Sequence, residues 1–264
     1  MKCALALLAL LAPAFAATKL SVSVVEAKTG RFVDGLQAGD FTVLDDKTPR
    51  AVEAVEVTAA GPMDVMLLLD TSLAGPAVQP FASSLIHQLQ DKDQMAIVGY
   101  HSSADLVQDF TSSRQLLEGA VAKLKYGNTP RVLDALSAVI REGFENAVYR
   151  RVILLLTAGF DGGSHENERD VIRLARRNAV SIYAIYMTGS ERGLFEALAR
   201  QSGGATFNLK DLKRASDGEP GPLIGQTVRK SYTVTVTGNL SLGDKVKVEV
   251  RSPGKVFVSA LLLE

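Results

Sequence analysis

Two short polar segments follow apolar runs at points where their side chains could carry chemistry. Asp70-Thr71-Ser72 comes directly after the apolar run 65–69, and segment 157–164 directly follows the apolar run 152–156. Carboxylate and hydroxyl oxygens are ligands that Mg²⁺ and Ca²⁺ prefer. Serine and aspartate also act in nucleophilic catalysis when a histidine lies beside them. A cation site and a catalytic triad are therefore the two chemistries to weigh.

The sequence argues against the triad. Ser72, His101 and Asp70 supply the residue types, but Ser72 lacks the flanking glycines of a nucleophile elbow. His101 follows the second strand and is interpreted as a polar loop residue. We place His87 at the end of one helix and His165 in the start of another. No phosphate-binding loop or dinucleotide fingerprint is present in the sequence, and we expect no catalysis.

The elements that must position these residues follow from hydrophobic periodicity. Continuous apolar runs are typical of strands covered on both faces, and they occur at 65–69, 95–100, 152–156 and 180–186. Amphipathic helical patterns lie in the intervals, and such alternation predicts an α/β fold with a doubly wound, mostly parallel sheet. Residues 104–110 follow the second strand too closely for a crossover, which predicts one antiparallel edge strand.

Both flanks of this region alternate with a period of two residues, which is typical of half-buried strands. Leu20, Val22 and Val24 share one face near the start, and Val234 and Val236 do so near the end. Neither flank alone has enough strands for a stable sheet. We expect both to form one small β-sandwich, residues 17–60 giving its N-terminal part and residues 211–264 a polar linker and its C-terminal part. Residues 61–210 then form the α/β domain.

The first sixteen residues have the pattern of a signal peptide. Lys2 precedes the apolar run 4–12, and Ala14-Phe15-Ala16 offers a small-x-small cleavage site. The run is too short for a permanent membrane anchor. We therefore expect residues 1–16 to be removed, and the protein to be exported to the periplasm or secreted, with no integral membrane anchor left. Removal would also take away the single cysteine of the chain.

The overall charge gives no reason to expect a nucleic-acid partner. The 264 residues carry 29 Lys plus Arg and 29 Asp plus Glu, whereas binding to phosphate backbones needs a concentrated positive face. Several arginines lie near one another in sequence; one hypothesis is that they bind acidic partners, and we favour the interpretation that they form a solvated helix face. They are Arg150, Arg151, Arg173, Arg176 and Arg177.

Several segments resemble a known family. The run from Leu67 to Ser72 resembles the opening of a von Willebrand factor A domain, segment 91–100 its second strand, and segment 152–163 its fourth strand and loop. Segments 30–46 and 226–232 are similar to the flanks of the VWFA-related domain of bacterial secreted proteins. The resemblance spans nearly the whole chain after residue 16. It implies the same α/β fold and a function in protein binding or adhesion.

The resemblance also implies a place for a metal-ion-dependent adhesion site, which the family builds from Asp-x-Ser-x-Ser, a threonine and a second aspartate. Asp70 and Ser72 match this pattern. The second serine position holds Ala74, and the second aspartate position holds Ala158. Neither alanine side chain offers an oxygen, so the site is expected to be degenerate and Asp70 and Ser72 to be its vestigial metal ligands.

The threonine position falls on Pro130, with Thr129 one residue away. One hypothesis is therefore a non-catalytic protein–protein interaction or adhesion module that needs no metal or other cofactor. The alternative is a cation-dependent adhesion module with a rearranged Mg²⁺ or Ca²⁺ site. The binding-face candidates, which are also the ligands of that rearranged site, are Asp70, Ser72, Thr129 and Asp161. In either case the expected partner is a protein.

Overall fold

The computed structural model of the chain describes residues 17–215, 220–241 and 245–263. The expected signal peptide, residues 1–16, lies outside the described residues. The strands are β1 Ala17–Glu26, β2 Phe41–Asp45, β3 Thr48–Arg50, β4 Val52–Ala59, β5 Met63–Asp70, β6 Gln94–Tyr100, β7 Ala104–Thr111, β8 Arg150–Thr157, β9 Val180–Tyr186, β10 Thr206–Asn208, β11 Lys230–Thr237, β12 Val246–Val250 and β13 Val256–Leu263.

The α-helices are α1 Pro80–Ile86, α2 Arg114–Val121, α3 Val132–Glu142, α4 Glu168–Arg177, α5 Arg192–Ser202, α6 Leu209–Ala215 and α7 Pro220–Val228. Short 3₁₀ turns at Ala38–Asp40 and Gly75–Ala77 complete the list. No helix among the described residues is both long enough and apolar enough to cross a bilayer.

A six-stranded sheet forms the centre of the α/β part, in the order β10-β9-β8-β5-β6-β7. Strands β5, β6, β8, β9 and β10 run parallel, and β7 pairs antiparallel with β6 at one edge. Every residue of β5 is buried because helices cover both faces of the sheet. Helices α1, α2 and α7 pack on one face, and α3, α4 and α5 on the other. The predicted doubly wound sheet with one antiparallel edge is confirmed.

Two smaller antiparallel sheets combine strands from both ends of the chain. Their orders are β13-β1-β11-β4 and β12-β2-β3. Apolar residues from both sheets, including Leu20, Val43 and Val234, form a third core separate from the two on the large sheet. The expected pairing of the flanks is therefore confirmed, while the residue boundaries drawn between the parts stay a prediction.

The polar linker predicted from residue 211 is helical where the structure describes it, and residues 216–219 of that linker lie outside the described residues. That region contains the end of α6 and the whole of α7. Pro220 is compatible with the first turn of α7, where its missing N–H costs no helical hydrogen bond. Ile224 and Val228 lie four residues apart and are both buried in the core beside α1. Tertiary burial of this stripe outweighs the glycine and proline content that favoured a linker.

Candidate functional site

The sheet topology brings the sequence-selected residues to one edge. Strands β6 and β8 lie on either side of β5 and run parallel to it, so all three carboxyl ends meet where the chain reverses its direction of winding. Asp70 pairs with Tyr100, and Leu69 pairs with Leu156 one residue before Thr157. Asp70, Tyr100 and Thr157 therefore end three neighbouring strands at one level.

Asp70 is held by the backbone of two loops. Its side chain is buried, with the residue 2% exposed. Oδ1 accepts a hydrogen bond from the backbone N–H of Ser72 at 2.9 Å, and Oδ2 accepts one from the backbone N–H of Ala158 at 3.0 Å. Hydrogen bonds from N–H groups to a carboxylate stabilise its negative charge. Each oxygen of Asp70 thus accepts one hydrogen bond from the backbone.

Ser72 lies in the same tight turn. Its Oγ accepts a hydrogen bond from the backbone N–H of Ala74 at 3.3 Å, and its carbonyl oxygen accepts one from Gly75 at 2.9 Å. A Cβ at position 75 would lie 2.2 Å from the carbonyl oxygen of Asp70, so only glycine fits. The structure brings Asp70 and Ser72 together as the sequence motif predicted.

Asp161 is engaged at the start of α3. Its Oδ1 accepts hydrogen bonds from the backbone N–H of Val132 at 2.7 Å and from Ser164 Oγ at 2.6 Å. Its Oδ2 accepts from the backbone N–H groups of Ser164 at 2.9 Å and Gly163 at 3.3 Å. Asp161 therefore acts as a helix cap. A cation bound at Asp70 would have to compete with these four hydrogen bonds for the carboxylate of Asp161.

Thr129 is half-buried against the loop that carries Asp161. The backbone N–H of Gly162 donates to the carbonyl oxygen of Pro130 at 2.6 Å, and a Cβ at 162 would lie 2.3 Å from Thr129 Cγ2. The structure thus joins the Thr129 and Asp161 loops to each other. The pair formed by Asp70 and Ser72 is held separately, through Ala158.

The donor set at this edge does not fit the usual demands of Mg²⁺. Mg²⁺ takes six oxygens in near-octahedral geometry, whereas Ala74 and Ala158 supply no side-chain oxygen. The vestigial role of Asp70 and Ser72 stays a prediction for experiments in solution.

Tyr100 is a site residue that sequence reasoning missed. Burial, followed by the negative charge of Asp70, raises the pKa of Tyr100 well above its ordinary value of 10.0. A neutral phenol therefore ends β6 next to the carboxylate. The residue lies at the end of the apolar run 95–100, so periodicity assigned it to the core. Its position directly across from Asp70 in the sheet is the signal that only the register supplies.

The histidines do not complete a triad with Ser72. The ring of His101 packs on Gly127, since a Cβ at position 127 would lie 2.5 Å from His101 Cγ. Nδ1 of His101 accepts a hydrogen bond from the backbone N–H of Ser102 at 2.7 Å. His87 lies at the C-terminus of α1, as predicted. The placement of His165 in a helix was wrong, because α4 begins at Glu168.

Three large apolar or aromatic side chains lie exposed on the loops around this edge. Leu73, between Ser72 and Ala74, is 77% exposed; Tyr126 is 39% exposed and Phe160 is 36% exposed. Tyr126 lies against the loop after β5, because a Cβ at Gly75 of that loop would lie 3.0 Å from Tyr126 Cε1. Loop residues carry no periodicity, so sequence patterns did not single them out. The edge therefore combines a buried carboxylate with exposed apolar side chains.

The interpretation of the arginines as one solvated surface was wrong for two of them. Arg150 donates from Nη1 to the carbonyl oxygen of Val228 at 2.7 Å and from Nη2 to the hydroxyl of Tyr183 at 2.8 Å. Arg151 donates to the carbonyl oxygen of Asn178 at 3.2 Å. Arg150 and Arg151 belong to β8, where their ends satisfy backbone groups of neighbouring elements.

A doubly wound sheet with an aspartate at the end of its central strand and loops at the switch point defines the class of open α/β domains. The family model of the von Willebrand factor type A domain matches residues 64–218, which is more than half of the chain. The chain belongs to the von Willebrand factor type A family. Domains of this family are generally protein-interaction modules.

The fold is also found in solved structures. Proximal thread matrix protein 1 from the mussel byssus is 21% identical with a TM-score of 0.54, covering 68% of this chain and 49% of that chain. A structure of the same mussel protein with a zinc-occupied MIDAS motif is 20% identical with a TM-score of 0.55, covering 69% and 50%. This chain thus spans about half the length of the mussel protein, and the likeness shows the fold alone.

A conserved hypothetical protein, BatB from Bacteroides thetaiotaomicron, is 14% identical with a TM-score of 0.48, covering 64% of this chain and 97% of that chain. No curated protein matches the sequence.

Proposed function

We propose that this protein is an exported, non-catalytic protein-interaction or adhesion module that binds its partner without a metal ion. The observation that carries the proposal is the hydrogen bonding of Asp70, whose two oxygens accept from the backbone N–H groups of Ser72 and Ala158. In a cation-dependent site, the ion would neutralise this carboxylate. The two backbone hydrogen bonds stabilise the carboxylate in the turn, which supports a site that needs no ion.

The exposed side chains on the same loops support recognition by apolar contact. Leu73, Tyr126 and Phe160 surround an edge that offers no accessible carboxylate at Asp70. Apolar and aromatic anchors commonly supply most of the binding energy of a protein interface. A partner would therefore bind through its own apolar side chains, with the polar groups of the loops at the rim.

Export rests on the signal-peptide pattern of residues 1–16. Expression of the full gene product in a bacterial host should yield a periplasmic or secreted form whose first residue is Ala17, because cleavage follows Ala16. Mass spectrometry of the fractions measures this mass. A chain that keeps residues 1–16 in the cytoplasm would contradict export.

Metal independence is tested by calorimetric titration of the purified protein with Mg²⁺, Ca²⁺ and Mn²⁺. We expect no binding heat up to about 1 mM ion, since two ligands hold such ions weakly. An Asp70→Ala variant is titrated in parallel. Heat that appears in the wild type and disappears in the variant would contradict the proposal and favour the rearranged site of Asp70, Ser72, Thr129 and Asp161.

Partner recognition is tested by affinity enrichment from the cells that express the protein, with identical samples in Mg²⁺ and in chelator. We expect the same partner in both samples, and a loss of at least about tenfold on Leu73→Glu, which puts a charge into an apolar interface. Val148 is the matched control because it is 76% exposed in the loop before β8, and parallel strands begin at the opposite edge of the sheet.

Recovery of the partner only in Mg²⁺ would sink the metal-independent mechanism. Equal losses with Leu73→Glu and Val148→Glu would instead place the interaction elsewhere on the protein.

A further inference from the structure

The two strands nearest the C-terminus diverge instead of pairing. Strand β12 pairs with β2 and strand β13 pairs with β1, although only residues 251–255 separate them. Between them, and against α4 and α5, lies a cavity of about 480 Å³. We call it the cleft. Its strand wall comprises residues 246–248 and 258–260.

The backbone of β12 presents unpaired groups to the cleft. The backbone carbonyl of Lys245 accepts a hydrogen bond from the backbone N–H of Asp46, and the backbone N–H of Arg251 donates to the carbonyl of Asp40. The backbone groups of the odd-numbered residues of β12 therefore face β2. Because strand backbone groups alternate in direction, those of Val246 and Val248 face away from β2. Both residues line the cleft. In the described part of the chain, their N–H and C=O groups have no strand partner on that side.

The edge of β13 is partly covered. The backbone carbonyl of Lys255 accepts a hydrogen bond from the backbone N–H of Ala27, so the odd-numbered residues of β13 face β1. The backbone groups of Val258, an even-numbered residue, therefore face away from β1. Its carbonyl oxygen accepts a hydrogen bond from Arg200 Nη1 at 2.9 Å. The guanidinium of Arg200 also lies 4.3 Å from the centre of the Phe257 ring. The free edge of the cleft is therefore that of β12.

The lining of the cleft has more basic than acidic side chains. Its walls carry the basic side chains Arg169, Arg176, Arg200 and Lys247 against the single acidic side chain Glu168. Lys247 pairs with Glu249 on the same strand, Nζ to Oε1 2.6 Å. Because Lys247 is paired, the lining carries a modest excess of positive charge, which a concave site focuses on an acidic ligand.

We propose that the cleft is a second binding site, for an extended acidic segment of a partner protein that adds as a strand to β12. Backbone groups of the segment pair with Val246 and Val248, and its carboxylates face Arg169, Arg200 and Lys247. Strand addition supplies affinity through main-chain hydrogen bonds, while side-chain contacts supply specificity. This site lies apart from the loop edge at Asp70 and does not depend on the function proposed there.

The test uses the full chain and a fluorescent peptide of about eight residues in which glutamate and valine alternate, a length typical of strands. Fluorescence anisotropy should show saturable binding that weakens with added salt. A peptide with lysine in place of glutamate should bind at least about tenfold more weakly. A peptide with proline in place of valine should lose binding, because proline cannot donate to the strand.

The protein variant that tests the site is Arg169→Ala combined with Lys247→Ala, which we expect to weaken the acidic peptide by about tenfold. The matched control is Arg173→Ala, which removes another exposed arginine of α4 that pairs with Asp170 outside the cleft. Hydrogen exchange should slow at 246–250 on peptide binding and stay unchanged in β4.

The proposal is overturned if the acidic peptide shows no binding up to about 1 mM, or if the lysine or proline peptide binds equally well. Equal affinity for the double variant and the wild type would also overturn it. Sedimentation velocity of the free protein provides a further outcome. Concentration-dependent dimers that disappear in the double variant would assign the cleft to a second copy of this chain instead.

Discussion

At the scale of single residues, Ala158 supplies one of the two backbone hydrogen bonds that hold the side chain of Asp70. Its backbone N–H donates to Asp70 Oδ2, and its side chain is a buried methyl group. A second carboxylate here would lie near the first, and like charges at close range destabilise the fold. We predict that Ala158→Asp lowers the free energy of unfolding by about 2 kcal/mol without metal, as measured by urea titration.

The same substitution is expected to create a response to Mg²⁺. Adding Ala74→Ser supplies a second hydroxyl, so thermal denaturation of the double variant should shift upward in millimolar Mg²⁺, since an ion that binds only the folded state stabilises it. Ala158→Asn is the uncharged control and should show no shift. A comparable shift in the wild type would contradict our account of Asp70.

At the scale of elements, the start of α3 depends on the loop after β8. Asp161 and Ser164 accept hydrogen bonds from the first backbone N–H groups of the helix, and Arg131 at the N-cap position makes no such side-chain bond. We predict that Asp161→Ala lowers the free energy of unfolding by about 1–2 kcal/mol, and Asp161→Asn by less, as measured by urea titration. Equal stability of the alanine variant and the wild type would contradict the capping role.

The contribution of Asp134 to stability, at the contact between α3 and the loop before α4, is expected to depend on pH. Burial opposes ionisation of Asp134, but hydrogen bonds from the backbone of Glu166 and from His165 outweigh it and hold the pKa of Asp134 below its ordinary value of 3.8. A carboxyl with a lower pKa in the folded state stabilises the fold above its unfolded pKa and loses that contribution as pH falls. The stability difference between wild type and Asp134→Asn should therefore shrink below about pH 3.8. A difference that stays constant across that range in urea titrations would contradict this.

At the scale of the whole molecule, one buried ion pair joins the α/β part to the flank sheets. Arg229 lies between α7 and β11 and pairs with Asp93, which precedes β6. Asp93 also accepts from the backbone N–H of Met63 at the start of β5. We predict that Arg229→Ala lowers the free energy of unfolding by about 3 kcal/mol, because it leaves a buried charge without its partner.

Lys230 offers the matched control, since its ion pair with Asp34 is solvent-exposed. Lys230→Ala should change the free energy of unfolding by less than about 1 kcal/mol. Circular dichroism during urea titration measures both variants. A smaller effect for Arg229→Ala than for Lys230→Ala would show that the buried pair does not join the two parts.

The sequence by itself determined the class of fold. Apolar runs such as 65–69 must be covered on both faces, and residues 104–110 follow β6 too closely for a crossover, so the doubly wound sheet and its antiparallel edge were predictable. The resemblance places Ala74 and Ala158 at two ligand positions of the family's metal site, and a methyl side chain supplies no oxygen. The fold class follows from residue type and spacing, whereas the depleted metal site stays a prediction.

Only the tertiary structure decided how those residues are satisfied. Asp70 accepts a hydrogen bond from Ala158, and Asp161 accepts one from Val132. These bonds join loops that are far apart in sequence, and the position of Tyr100 across from Asp70 likewise depends on pairing between distant segments. The helix α7 was missed because its stripe is stable only against α1, not by intrinsic propensity. The cleft beside β12 likewise exists because β12 and β13, which are adjacent in sequence, join different sheets. Long-range packing determines this pairing, and the local sequence pattern does not predict it.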